Sequence, residues 1–196
     1  MTRTYQKKKR AEREAETRRR IVEATVALHT SVGPARTTIS AVAAKAGVQR
    51  HTVYSHFPDE DTLFAACTSH WALLHPLPPA ERWEAAADPL ERLALALREI
   101  WAWYADVDSD LELFFRDAEL VPAVRADMTR YAERLTALAD RLAADLGSSS
   151  TVRAAVGHAL AFETWRSLVR REGLTTTDAA DAMLALVSRS TCVRTT

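Results

Sequence analysis

Apolar side chains along this chain recur at intervals of three and four residues, and no stretch alternates at a period of two for long enough to make a strand. Between clusters of proline and glycine the pattern predicts about nine helices. The first, over roughly 11–32, puts Ile21, Ala24, Leu28 and Val32 on one face. Two short helices follow near 39–46 and 49–56, then one from Asp59 to about His75. After a proline-rich connection, Leu90, Leu93, Leu97, Ile100 and Tyr104 fall in register near 89–107, and Leu111, Phe114, Phe115 and Ala118 on a shorter helix. Pro122 opens a helix to Leu146 whose Val124, Met128, Tyr131, Leu135, Leu138 and Leu142 form a heptad-like seam. Two more, near 149–172 and 177–191, close an all-α chain.

Composition agrees with that pattern. Alanine, the strongest helix former, occurs 36 times in 196 residues, against only five glycines. Gly33, Gly47, Gly147, Gly157 and Gly173 stand at least ten positions apart. The dinucleotide fingerprint, the phosphate loop and the nucleophile elbow each need two glycines within about five residues, so all three are excluded. Cys67 and Cys192 lack the spacing of a zinc site or a disulfide framework, and a reducing cytoplasm is expected. The N-terminus has no apolar core of a secretory signal. Residues 62–80 are free of Lys, Arg, Asp and Glu but contain His70, His75 and three prolines, which argues against a membrane span. No HExxH or ExxH pair occurs, and His70 and His75 diverge on their helix, so neither metal nor cofactor chemistry is expected and an enzyme or carrier finds little support.

The formal net charge is zero, with 26 basic and 26 acidic side chains. The sum conceals a division: residues 1–60 carry 12 basic and 6 acidic side chains, a balance of +6, and the remainder carries −6.

The positive part contains TTISAVAAKAGVQRHTVYSHF, residues 37–57, with the local logic of a helix-turn-helix. Thr38 is a natural N-cap, and Ile39, Val42, Ala43 and Ala46 give the first helix a buried face. Gly47 sits where the chain must turn sharply, and Val48, Val53 and Phe57 bury one side of the second helix. The other side shows Gln49, Arg50, His51, Thr52 and His56. Arginine can donate two hydrogen bonds to guanine, glutamine can pair with adenine, and hydroxyl, phenol or imidazole groups reach phosphates. If this is a recognition helix, Gln49, Arg50 and His51 lie nearest the base edges. Spacing alone also fits a plain helical corner with a solvated face.

The run RRRIVEATVALHTSVGPARTTISAVAAKAGVQRHTVYSHFPDEDTLFAA resembles the DNA-binding domain of the TetR family of transcriptional regulators, over roughly residues 17–66. Its most specific parts are the Thr-Thr before a short Ile-x-x-Val-Ala helix, AKAGV at the turn, and TVYSHFP before an acidic cap and Leu63. The resemblance implies that Arg50 and His51 face bases, and that Thr38, Thr52, Tyr54 and His56 hold the phosphate backbone. With Thr37 and Gln49 these make the expected DNA-contacting set. Two departures stand out. Where the family often has a lysine after the proline, this chain reads Asp59, Glu60, Asp61, and Gln49 and His51 are bulkier than the family's usual residues.

The N-terminal Lys7, Lys8, Lys9, Arg10, Arg13, Arg18, Arg19 and Arg20 read either as an arm tracking phosphates or as a solvated helix end with Glu12, Glu14 and Glu16 interleaved. The expected domains are this arm over 1–16, the DNA-binding domain over 17–77, and an effector-binding and dimerisation domain over 78–196. In the resembling family that last domain is a helical bundle with an internal pocket. Candidate lining residues are Trp71, Trp101, Tyr104, Phe115, Met128, Tyr131, Phe162 and Trp165, with His158, Glu163 or Arg116 as polar contributors. Aromatics at helical spacing are also ordinary core. Yet Trp101, Trp103 and Tyr104 are too close in sequence to share one side, so one of them is expected to face a cavity, a partner or solvent. Narrow faces at Ala154, Ala155, Gly157, Ala159 and Ala161, with apolar area from Met183, Leu186 and Val187, suit a homodimer through the last two helices. The expectation is a dimeric repressor, released from a pseudo-palindromic double-stranded operator by a small, largely apolar effector, with the helix over 59–75 as lever. A DNA-binding regulator with no effector remains the alternative.

Overall fold

A computed structural model of the chain describes residues 3–147 and 149–192; the ends of the expected terminal segments and the side chain of Cys192 lie outside the described residues. Among those residues there are ten α-helices and no strand. They are α1 Arg3–His29, α2 Ile39–Ala46, α3 Arg50–His56, α4 Glu60–Leu74, α5 Glu81–Glu84, α6 Pro89–Asp117, α7 Pro122–Ala144, α8 Ser150–Leu160, α9 Phe162–Arg166 and α10 Thr176–Cys192.

Local signals set most of the boundaries. Thr38 caps α2, its Oγ1 accepting from the Ala41 N–H at 3.2 Å, and Asp59 caps α4 by accepting from Thr62 N–H at 2.6 Å. Ser149 does the same for α8 through Val152 N–H at 3.2 Å. Gly47 ends α2 with φ 65°, a conformation open to glycine at little cost. α1 starts well before the expected residue 11, because Lys, Arg and Glu are good helix formers and pairs such as Arg10–Glu14 stitch successive turns.

Three expectations are corrected. The two helices expected over 89–118 are one, α6, because Asp108, Ser109 and Asp110 lack the proline or glycine that would stop it. The single helix expected over 149–172 is interrupted at Ala161, whose ψ of 138° is extended, and continues as α9 and a π-helical turn, Ser167–Arg171. The short α5 was not foreseen at all.

Packing divides the chain into two compact units, Met1–Pro76 with Ser109–Met128, and Leu77–Asp108 with Thr129–Thr196. The first has its core in Ile21, Val22, Val42, Val53, Phe57 and Leu63. The second is built around α6, where Leu93, Leu97, Ile100 and Val107 are buried. Trp101, Trp103 and Tyr104 are buried too, at 0%, 8% and 0% exposure, so no member of that trio is left facing solvent. A helix surrounded on most of its circumference has no single inward side, and adjacent aromatics can all be core.

The break at Ala161 explains two of them. An interrupted helix leaves carbonyls without their usual donors. The Trp101 indole N–H donates to Ala159 O at 3.0 Å, and the Tyr104 hydroxyl donates to Leu160 O at 2.7 Å. Each aromatic supplies area with its ring and satisfies a freed carbonyl with its polar end.

Candidate nucleic-acid interface

In the first unit, α2 and α3 form a helix-turn-helix held from behind by α1. Val42, Ala43, Ala46 and Val53 are buried, as is Phe57 just after α3. Two α1 side chains from the basic N-terminal run fasten this corner. Arg20 donates to Ala46 O at the end of α2, where carbonyls lack helical partners. The Arg18 guanidinium lies 4.5 Å from the centre of the Phe57 ring. Sequence reasoning missed both roles; the one available signal was that Arg18 and Arg20 sit next to the first apolar turn of α1, within reach of its partners.

With one face pinned, the opposite face of α3 is exposed. Gln49, Arg50, His51 and Tyr54 are exposed, and Thr52 and His56 are half-buried. Gln49 occupies the N-cap position without a side-chain capping bond, which leaves its amide to face outward. Thr37 and Thr38 lie at the mouth of α2; the Thr37 hydroxyl donates to Gly33 O at 2.9 Å, and Thr38 is occupied as the cap. The acidic run that replaces the family's lysine has a local use. Asp59 caps α4, its carboxyl held below the usual range by its bonds to Thr62, and Glu60 and Asp61 favour the positive end of that helix.

A second polar cluster in this unit involves the end of α6. The Asp117 carboxylate accepts from Ala35 N–H at 2.9 Å and from Arg116 Nε at 2.7 Å, while Arg116 Nη2 donates to Val32 O at 3.0 Å. Gly33 sits beneath them at φ 94°, and a Cβ there would run into both side chains. Arg116, a candidate pocket residue, is therefore engaged with this turn.

The remaining pocket candidates are divided between the two units. Trp71, Phe115 and Met128 belong to the first unit, where Trp71 Nε1 donates to Asp110 at 2.7 Å and its ring meets Phe114 edge-on at 5.4 Å. Trp101, Tyr104, Tyr131, Phe162 and Trp165 belong to the second. There Tyr104 packs against Phe162 at 5.3 Å and Trp165 at 6.0 Å, and Phe162 stacks on Trp165 at 5.6 Å. The Tyr131 hydroxyl donates to Tyr104 at 2.7 Å. Glu163 is exposed, and His158 lies 3.3 Å from the Thr164 hydroxyl. Beside this cluster is a concavity of about 170 Å³ that shares only Tyr131 with the expected set. Among the described residues no group of His, Cys, Asp and Glu could hold a metal ion, and no helix is long and apolar enough to cross a membrane.

No curated protein matches the chain. The family model for bacterial regulatory proteins of the tetR family matches residues 21–67, the segment that runs from the core of α1 through the helix-turn-helix into α4. Over that segment the chain is similar to the TetR family. Solved structures share its fold along nearly the whole length. A TetR-like transcriptional regulator from Rhodococcus sp. RHA1 is 23% identical with a TM-score of 0.61, over 91% of this chain and 97% of that one. NalD, the secondary repressor of the MexAB-OprM multidrug efflux pump in Pseudomonas aeruginosa, is 20% identical with a TM-score of 0.59, over 90% and 96%. The multidrug binding protein EbrR, solved with imidazole, is 21% identical with a TM-score of 0.57, over 87% and 89%.

Proposed function

We propose that this chain is a DNA-binding transcriptional regulator of the TetR type and not an enzyme, a homodimeric repressor that leaves a pseudo-palindromic operator when a small, largely apolar ligand binds. Gln49, Arg50 and His51 read base edges in the major groove, and Thr37, Thr38, Thr52, Tyr54 and His56 hold the phosphates on either side. The observation that carries this reading is the exposed, polar face of α3 on a helix whose other face is locked by Val53, Phe57 and Arg18. A rigid helix pays little to order its side chains on DNA.

Dimerisation follows from the symmetry of such operators, because two recognition helices must be paired about a two-fold axis. α8 and α10 supply the faces for it: Ala154, Ala155 and Gly157 are narrow and incompletely buried, and Leu186 on α10 is 58% exposed. Two proteins of the same fold are named a multidrug binding protein and a repressor, which supports ligand response and repression here. The protein works in the cytoplasm, where its operator is. Selecting duplexes from a random pool and measuring the mass of the complex tests the reading. Two chains per duplex with an inverted repeat are expected; a single chain on an asymmetric site contradicts it.

A further inference from the structure

The concavity of the second unit has a physical origin. On α7, Leu135 and Leu138 are only half-buried, while Ala139, Leu142 and Ala143 on the neighbouring face are buried. What covers Leu135 and Leu138 is the segment after Pro76, with Leu77, Pro78 and the buried Trp83 forming the wall. Pro76, Pro78 and Pro79 fix φ and lack N–H groups, so the part of this wall before α5 is a thin strap in place of a helix, and the wall leaves a hollow of about 170 Å³. An engineered apolar cavity of about 150 Å³ takes up benzene, so one ring or a short branched chain fills this one.

The polar groups at its mouth have one sign. Arg134 and Arg141 stand about one turn before and one turn after Leu138 on the same side of α7, and no carboxylate lines the hollow. Arg134 makes no ion pair or hydrogen bond among the described residues. Arg141 reaches Glu84 at 3.3 Å, but both side chains are more than half exposed, and such a pair exchanges readily for another anion. An amine would meet two guanidinium groups; a carboxylate would meet two forks of donors suited to it.

We propose that this hollow binds a compact hydrophobic carboxylate, its ring or short chain against Leu135, Leu138 and Trp83 and its carboxylate between Arg134 and Arg141. An occupant touches Tyr131, whose hydroxyl leads through Tyr104 to Leu160 O at the break between α8 and α9. Only the consequence, release from DNA, rests on the ligand-responsive reading; binding stands on the hollow itself.

The test titrates the full chain by calorimetry with 3-phenylpropanoate and with its neutral analogue 3-phenylpropan-1-ol. The acid binds at least about tenfold more tightly, a gap of about 1.4 kcal/mol, and the gap narrows at high salt. Arg134→Gln with Arg141→Gln, both surface changes that leave helicity and thermal midpoint in place, erases the difference between acid and alcohol. Leu138→Trp fills the hollow and abolishes binding of both. Equal binding of the two compounds, or binding of neither, overturns the proposal. Binding of the acid with unchanged operator affinity supports the site and contradicts the release reading instead.

Discussion

The carboxylate of Asp117, 1% exposed at the end of α6, accepts a hydrogen bond from the backbone N–H of Ala35 across 82 residues of sequence. Burial alone would raise its pKa, yet Arg116 and the Ala35 amide together hold it below the ordinary carboxylate value. A depressed carboxyl contributes stability that is present above its unfolded pKa and lost as pH falls through the folded one. Asp117→Asn therefore loses about 1 to 3 kcal/mol at neutral pH by urea unfolding, and the gap from the native chain shrinks below about pH 4. A pH-independent gap would show that the charge at Asp117 is idle.

His29 works in the opposite range. It is buried with its Nδ1 3.3 Å from the Cys67 thiol, and burial lowers its pKa to about 4 even though the Asp117 charge acts to raise it. The folded chain keeps this ring neutral while the unfolded chain protonates it near pH 6.5, so stability falls as pH drops from about 6.5 toward 4, by up to about 3 kcal/mol. In His29→Gln the unfolding midpoint is flatter across that window. A slope equal to that of the native chain would assign the pH dependence elsewhere.

These relationships mark the limit of what the sequence discloses. Thr38 and Gly47 announce the helix-turn-helix because capping and turning are local acts, completed within a few residues. Ala161 announces nothing: an alanine in a helical run gives no local sign of a break whose freed carbonyls, Ala159 O and Leu160 O, are taken by Trp101 and Tyr104, 58 and 56 residues before them. In the sequence those two residues show apolar area, which suits a pocket lining, and nothing local shows them as donors to distant carbonyls. Leu135 and Leu138 carry the periodicity of a seam, which does not reveal that a proline-rich segment lies across from them. The bases of α1 divide for the same reason, with Arg18 and Arg20 spent on partners 26 to 39 residues onward and Lys7, Lys8, Lys9 and Arg10 left exposed.

Two tryptophans of the second unit separate polar from apolar contributions. Trp101→Phe strands Ala159 O in the interior and costs about 1 to 3 kcal/mol beyond the lost ring area. Trp165 is as deeply buried, but its indole N–H has no partner among the described residues, so Trp165→Phe removes an unsatisfied donor and costs distinctly less. Urea midpoints of the two variants compare them directly. A larger loss at Trp165 would refute the distinction.

The exposed turns of α1 carry Lys7, Lys8, Lys9, Arg10 and Arg13 beyond the helix-turn-helix. If this helical extension lies along the duplex, removing residues 2–10 weakens binding evenly across DNA sequences and flattens its salt dependence, by about 0.9 in the log–log slope for each phosphate released. Affinity measured by anisotropy over a range of salt reads that slope. An unchanged slope makes the extension a solvated helix end.

In the proposed function the exposed face of α3 reads DNA sequence, with Arg50 foremost among its side chains. On the duplex selected by the native chain, Arg50→Ala loses about 1 to 3 kcal/mol of binding free energy and relaxes discrimination at one base pair of each half-site, with the salt slope nearly kept. An equal loss on every sequence, or no loss at all, contradicts the account.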